Sequence, residues 1–163
     1  MAVVVSDTSP IRALSHLGRL EVLAALFQEI VVPTAVVVEL EQPRPKFAPV
    51  AVRGLPFVCV RSPQDRDAVD ALRETLGPGE AEAIILAEEL HAEAILIDET
   101  AGRAVALRRG LRPIGVLGTL LRGKERGLIR EISPLLDRLQ NELGFFISSK
   151  LRDHTLRQAG EEE

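Results

Sequence analysis

The chain has 163 residues, enough for one domain with a sizeable core. Its 46% hydrophobic and 27% charged content is ordinary for a soluble globular protein, and with 3% aromatics and no Trp or Tyr the core falls to Ala, Val, Leu and Ile. A single cysteine, Cys59, excludes an internal disulfide and a cysteine-based zinc site, and the net charge of −4 does not by itself point to a nucleic-acid partner.

The apolar β-branched run at residues 2–5 reads as a buried parallel strand. Thr8 or Ser9 can cap the helix that follows, with Pro10 at its first position, Ile11, Leu14 and Leu17 as its apolar stripe and Gly18 as its stop. A second short helix takes Leu20 to Phe27. Ile30, Val31 and Val32 form the next strand, and Thr34 caps a helix through Leu40. Three prolines make 42–49 a loop, and 57–60 is a third strand. A helix is expected from Ser62 to about Leu76, broken by Gly77, Pro78 and Gly79, and another from Glu80 to near His91. A fourth strand at 95–97, a helix at 100–109 and a short fifth strand at 113–116 follow. Helices are expected at about 117–126, 134–143 and 149–159, with a frayed tail of Gly160 and three glutamates. Strands alternating with helices imply a parallel sheet with right-handed crossovers.

The chain starts in an apolar strand without a basic leader region, and no apolar stretch reaches 18 residues, so a cytoplasmic protein that does not enter the membrane is expected. Charge is unevenly distributed. Residues 103–130 carry eight basic side chains and one acid, against eight basic and sixteen acidic in residues 1–102. A basic segment inside an acidic protein can meet a phosphate backbone, although solvated helix faces give the same pattern.

Ligands bind open parallel sheets beyond the carboxyl ends of the strands. Asp7 follows the first strand, and Asp98 and Glu99 follow the fourth. Glu39 lies on the helix after the second strand. Glu80 and Glu82 lie in the first turn of the helix leading into the fourth. Singly, each acid has a structural explanation: a helix cap, a partner for a helix dipole or a solvated face. Together they would repel one another at one crevice, and a divalent cation is the natural neutraliser. An all-oxygen donor set suits Mg²⁺ or Mn²⁺. Glu80 and Glu82 stand two apart on a helix and diverge by about 200°, so one of them is expected to face the ion.

Four motifs in order resemble the PIN-domain family, closest to an uncharacterised prokaryotic branch, over roughly residues 3–147. They are Val4-Val5-Ser6-Asp7-Thr8-Ser9-Pro10, the segment from Val32 to Leu40 with Glu39, Gly79-Glu80-Ala81-Glu82-Ala83-Ile84, and Ile95-Leu96-Ile97-Asp98-Glu99 through Arg103. Ile114-Gly115-Val116-Leu117-Gly118 matches a later run of that branch. The resemblance implies a three-layer α/β/α sandwich with a central parallel sheet of four or five strands, as a nuclease domain over 1–147, followed by a helical C-terminal extension and acidic tail over 148–163.

It also implies metal-dependent cleavage of single-stranded RNA, often as the toxin partner of a small antitoxin protein, and often as a homodimer. Asp7, Glu39, Glu82 and either Asp98 or Glu99 would hold Mg²⁺ or Mn²⁺, with Glu80 as the other candidate for the third acid. Thr8, Ser9 and Arg103 would contact the substrate. Many PIN domains carry Thr or Ser where Ile97 stands if Glu99 is the fourth acid. That departure leaves room for a second reading, a PIN fold that binds RNA or protein without cleaving. A phosphatase or receiver built around Asp7 is a third, but Ser9 stands where such phosphatases need a second Asp.

Overall fold

The computed structural model describes residues 3–161. Strands β1 (Val3–Ser6), β2 (Glu29–Pro33), β3 (Val58–Arg61), β4 (Ala94–Leu96) and β5 (Pro113–Ile114) form one parallel sheet in the order β3-β2-β1-β4-β5. The expected start of β1 at Ala2 lies outside the described residues. Helices α1 (Thr8–His16) and α2 (Glu21–Leu26) follow β1, and α3 (Thr34–Glu41) follows β2. Then come α4 (Arg66–Leu72) and α5 (Pro78–Glu89) before β4, α6 (Thr100–Arg108) before β5, and α7 (Val116–Glu125), α8 (Ser133–Leu143) and α9 (Ser149–Gln158) after it.

Side chains alternate across the sheet and so feed two cores. Val4, Ile30, Val32 and Leu96 pack on one face with Ile11 and Leu14 of α1, Val36 and Leu40 of α3, Leu120 of α7 and Leu136 of α8. Val5, Val31, Ile95 and Ile97 pack on the other with Ile84 and Leu86 of α5 and Ala106 of α6. The result is the expected α/β/α layering, with five strands.

Strand order sets the position of the site. The chain runs outward from β1 through β2 to β3 and then crosses to the other side of β1 with β4. The direction of winding reverses between β1 and β4, and a crevice opens beyond the carboxyl ends of those two strands. The Asp7 amide extends the ladder there, donating to the Leu96 carbonyl at 2.9 Å.

Two expectations are corrected. The helix expected from Ser62 begins at Arg66, because Asp65 is its N-cap and accepts the Ala68 amide at 3.0 Å. The expected frayed tail is fixed at Glu161, whose carboxylate accepts the Ile132 and Ser133 amides and pairs with Lys124 at 3.0 Å. Glu162 and Glu163 lie outside the described residues. Helix α9 also packs on α7, with Thr155 and the adjoining Ala159 buried.

Candidate functional site

Asp7 occupies the N-cap position of α1, but its carboxylate makes no capping hydrogen bond. It is 3% exposed and lines a cavity of about 300 Å³. Glu39 from α3, Glu80 from the first turn of α5 and Glu99 just beyond β4 line the same cavity, with Thr8 and Ser9. Thr8 Oγ1 donates to Glu39 Oε2 at 2.7 Å and so orients that carboxylate. Glu80 Oε1 accepts the Gly77 amide at 3.4 Å, while its buried Oε2 has no hydrogen-bond partner among the described residues.

Two glycines make room for these acids. A methyl at Gly79 would stand 2.8 Å from Glu39 Oε1 and 3.2 Å from Val36 Cγ2. A methyl at Gly102 would stand 2.6 Å from both Glu80 Oε2 and Ile97 Cδ1. The backbones of α5 and α6 therefore approach the carboxylates as closely as they can.

The electrostatics record the crowding. Burial pushes the Asp7 carboxyl from its ordinary 3.8 up to about 7, opposed by the Thr8 amide and reinforced by Glu80, Glu39 and Glu99. Burial also raises Glu80, with Glu99 and Glu39 adding repulsion and the Gly77 amide opposing. Among the described residues no group of three or more His, Cys, Asp or Glu is arranged to hold an ion as it stands. The carboxylates share a cavity, and rotamer changes in the long Glu39, Glu80 and Glu99 side chains would be needed to converge on an ion. The donor set itself fits a hard divalent cation: it is all oxygen, mutually repelling, and holds a buried oxygen without a partner.

A family model described as a PIN domain matches residues 3–161. The chain belongs to the PIN-domain family. No curated protein matches it. The PIN domain is a nuclease-type fold, and PIN domains typically use divalent metals.

In this PIN domain three of the expected site residues are engaged outside the acid cavity. Glu82 is 6% exposed and reaches the N-terminus of α3 instead. Its Oε1 accepts the Ala35 amide at 3.0 Å and the Thr34 hydroxyl at 3.1 Å, and its Oε2 pairs with Arg66 at 2.9 Å. With its lone pairs so occupied, Glu82 serves as a cap for α3 supplied by a neighbouring helix. Asp98 also caps a helix, its Oδ1 accepting the Val116 amide at 2.8 Å at the start of α7, while its buried Oδ2 has no partner among the described residues. Burial raises its carboxyl to about 6, opposed by the Val116 amide and by Arg103. Arg103 turns inward under the sheet edge, donating to the Ile97 carbonyl at 3.0 Å.

The sequence does not mark the cationic side of the cavity. Arg12 is 4% exposed and stacks over the Phe47 ring at 5.5 Å. Its Nη2 donates to the carbonyls of Glu39 and Gln42, and its buried Nη1 has no partner among the described residues. Arg12 stands one helical turn after Thr8, and an arginine within the apolar stripe of Ile11 and Leu14 was the available signal. Arg44, from the proline-rich loop, lines the same cavity.

Proposed function

We propose that this PIN domain is a metal-dependent endoribonuclease acting on single-stranded RNA, with Asp7, Glu39, Glu80 and Glu99 as the ligands of Mg²⁺ or Mn²⁺. The observation that carries the reading is the gathering of these four carboxylates, from the ends of β1 and β4 and from α3 and α5, in one cavity beside Arg12 and Arg44. A bound ion would supply Lewis-acid stabilisation of phosphate charge and a lowered pKa for water.

The chain's own residues have the remaining tasks. Thr8 holds Glu39 in orientation. The free Nη1 of Arg12 and the Arg44 guanidinium face the cavity as cations for non-bridging phosphate oxygens. Asp7, whose carboxyl is raised to about 7 by burial and its acidic neighbours, would bind a cation as the carboxylate. Hydrolysis forms a bond from water oxygen to phosphorus and breaks the bond to the 3′ oxygen, which takes up the proton and leaves a 5′-phosphate end. A toxin role in the cytoplasm with a small antitoxin partner, and a homodimer, belong to the same proposal.

Purified protein incubated with labelled single-stranded RNA and Mg²⁺ or Mn²⁺ is expected to give 5′-phosphate products. Asp7→Asn is expected to slow cleavage by about 100-fold or more, because loss of an outer partner of a metal ligand alone costs up to about that much. No cleavage with either ion, and no difference between parent and variant, would overturn the proposal. That outcome would favour the second reading, a module that binds without cleaving, which draws on the carboxylates' lack of convergence on one point among the described residues.

A further inference from the structure

A second cavity of about 570 Å³ adjoins the first, and Phe145 lines both. Its walls come from the end of β5, from α7 and from α9. Arg112 and Arg122 line it, and their guanidinium groups have no ion-pair or hydrogen-bond partner among the described residues. The only carboxylate on its walls among the described residues is Asp98, which is buried and accepts the Val116 amide through Oδ1. Phe146, also on its wall, is 92% exposed, the most exposed large hydrophobic side chain among the described residues. Leu151 lines the same cavity and is also exposed, so the ring belongs to an apolar patch flanked by arginines and is not a lone surface residue.

We propose that this groove binds the nucleotides that flank the scissile phosphate of a single-stranded RNA, with Phe146 and Phe145 stacking on bases and Arg112 and Arg122 holding the backbone. The inference rests on the nuclease reading of the adjoining acid cavity. Charge complementarity selects the occupant. Guanidinium groups without a partner among the described residues, beside the exposed Phe146 ring and the half-buried Phe145 ring, match a strand that carries an anionic backbone and π faces. A second copy of this chain meeting the groove face to face would set Arg112 and Arg122 of both copies together without free acids between them. Continuity gives the path, since a strand whose phosphate lies in the acid cavity passes Phe145 to reach the groove.

The test is fluorescence anisotropy of a labelled single-stranded oligoribonucleotide with the full chain in the Asp7→Asn background, which separates binding from cleavage. Phe146→Ala is expected to weaken binding about 5- to 100-fold, the range for loss of one stacked base. On an abasic strand of the same length, the Phe146→Ala protein and its parent should bind alike. Arg112→Gln and Arg122→Gln should each lower the slope of log affinity against log salt by about 0.7. Phe146 is exposed and neither arginine is paired, so these variants leave the core and its ion pairs intact.

Parent-like affinity in all three variants would overturn the inference. So would a Phe146→Ala protein that binds RNA normally but loses a dimer in sedimentation, which would give the groove to a second copy. Silent groove variants together with an RNA-cleaving parent would sink this inference alone. Weakened binding together with a parent that never cleaves would sink the nuclease reading alone.

Discussion

Glu80 and Glu82 stand on the same turn of α5 and have opposite surroundings. Glu82 accepts three hydrogen bonds, one of them from Arg66, and ties α5 to the start of α3. Glu80 keeps a buried oxygen with no partner among the described residues and is repelled by Glu99 and Glu39. Asp98 and Glu99 also point apart, the first capping α7 through Oδ1 while its buried Oδ2 has no partner among the described residues, the second lining the acid cavity. A carboxylate surrounded by donors stabilises the fold. A carboxylate surrounded by carboxylates is held in place against its own electrostatics, and such a site has a function other than stability. Glu82, with both oxygens bonded, is the acid of its pair that ties two helices together.

This contrast predicts stability effects of opposite sign in metal-free protein. The largest concerns Asp7. Well below pH 3.8 its carboxyl is protonated in both the folded and the unfolded chain. As the pH rises to about 7, the unfolded chain releases that proton while the folded chain keeps it, so folding stability falls. With the carboxyl raised from 3.8 to about 7, the loss is on the order of 4 kcal/mol by pH 8. Asp7→Asn removes the titration, and urea unfolding should show the variant more stable than the parent at pH 8 and nearly equal to it at pH 4. A parent less stable at pH 4 than at pH 8 by this comparison would contradict the crowding.

The second effect runs the other way. Glu82→Gln removes the charge from three bonds and should lower stability by about 2 kcal/mol in the same measurement, while cleavage per folded molecule stays near the parent's. The smallest effect belongs to Asp98. Asp98→Ala removes the acceptor of the Val116 amide and should cost about 1 kcal/mol, as loss of a helix cap does. Asp98→Asn retains an acceptor oxygen and should be nearly neutral at pH 4, while at pH 8 it removes a buried carboxyl raised to about 6 and should be more stable than the parent.

Most of the fold was legible in the sequence because its signals are local. The β-branched runs at 3–5, 30–32 and 95–97, the stop at Gly18 and the break at Gly77 each act within a few residues. The convergence of acids at one sheet edge followed from the parallel topology. The choice between Glu80 and Glu82 was not legible. Helical geometry showed that the two diverge, but which direction leads to the cavity depends on how α5 rotates against α3, and that is set by tertiary contacts such as the Ala35 amide and Gly102. The start of α4 was misplaced because Ser62 and Asp65 are both good caps. Ser62 is hydrogen-bonded to Thr34 at 2.9 Å, which leaves Asp65 to begin the helix. Arg12 was overlooked because a charged residue in an apolar stripe reads as a surface position until burial is known.

The central claim is that Asp7, Glu39, Glu80 and Glu99 form the metal site and Glu82 does not. Calorimetric titration of Mn²⁺ into the parent, Glu80→Gln and Glu82→Gln proteins tests it most directly. The account predicts that Glu80→Gln weakens binding about 10-fold or more, while Glu82→Gln binds as the parent does. Loss of Mn²⁺ binding in Glu82→Gln, with parent-like binding in Glu80→Gln, would contradict it.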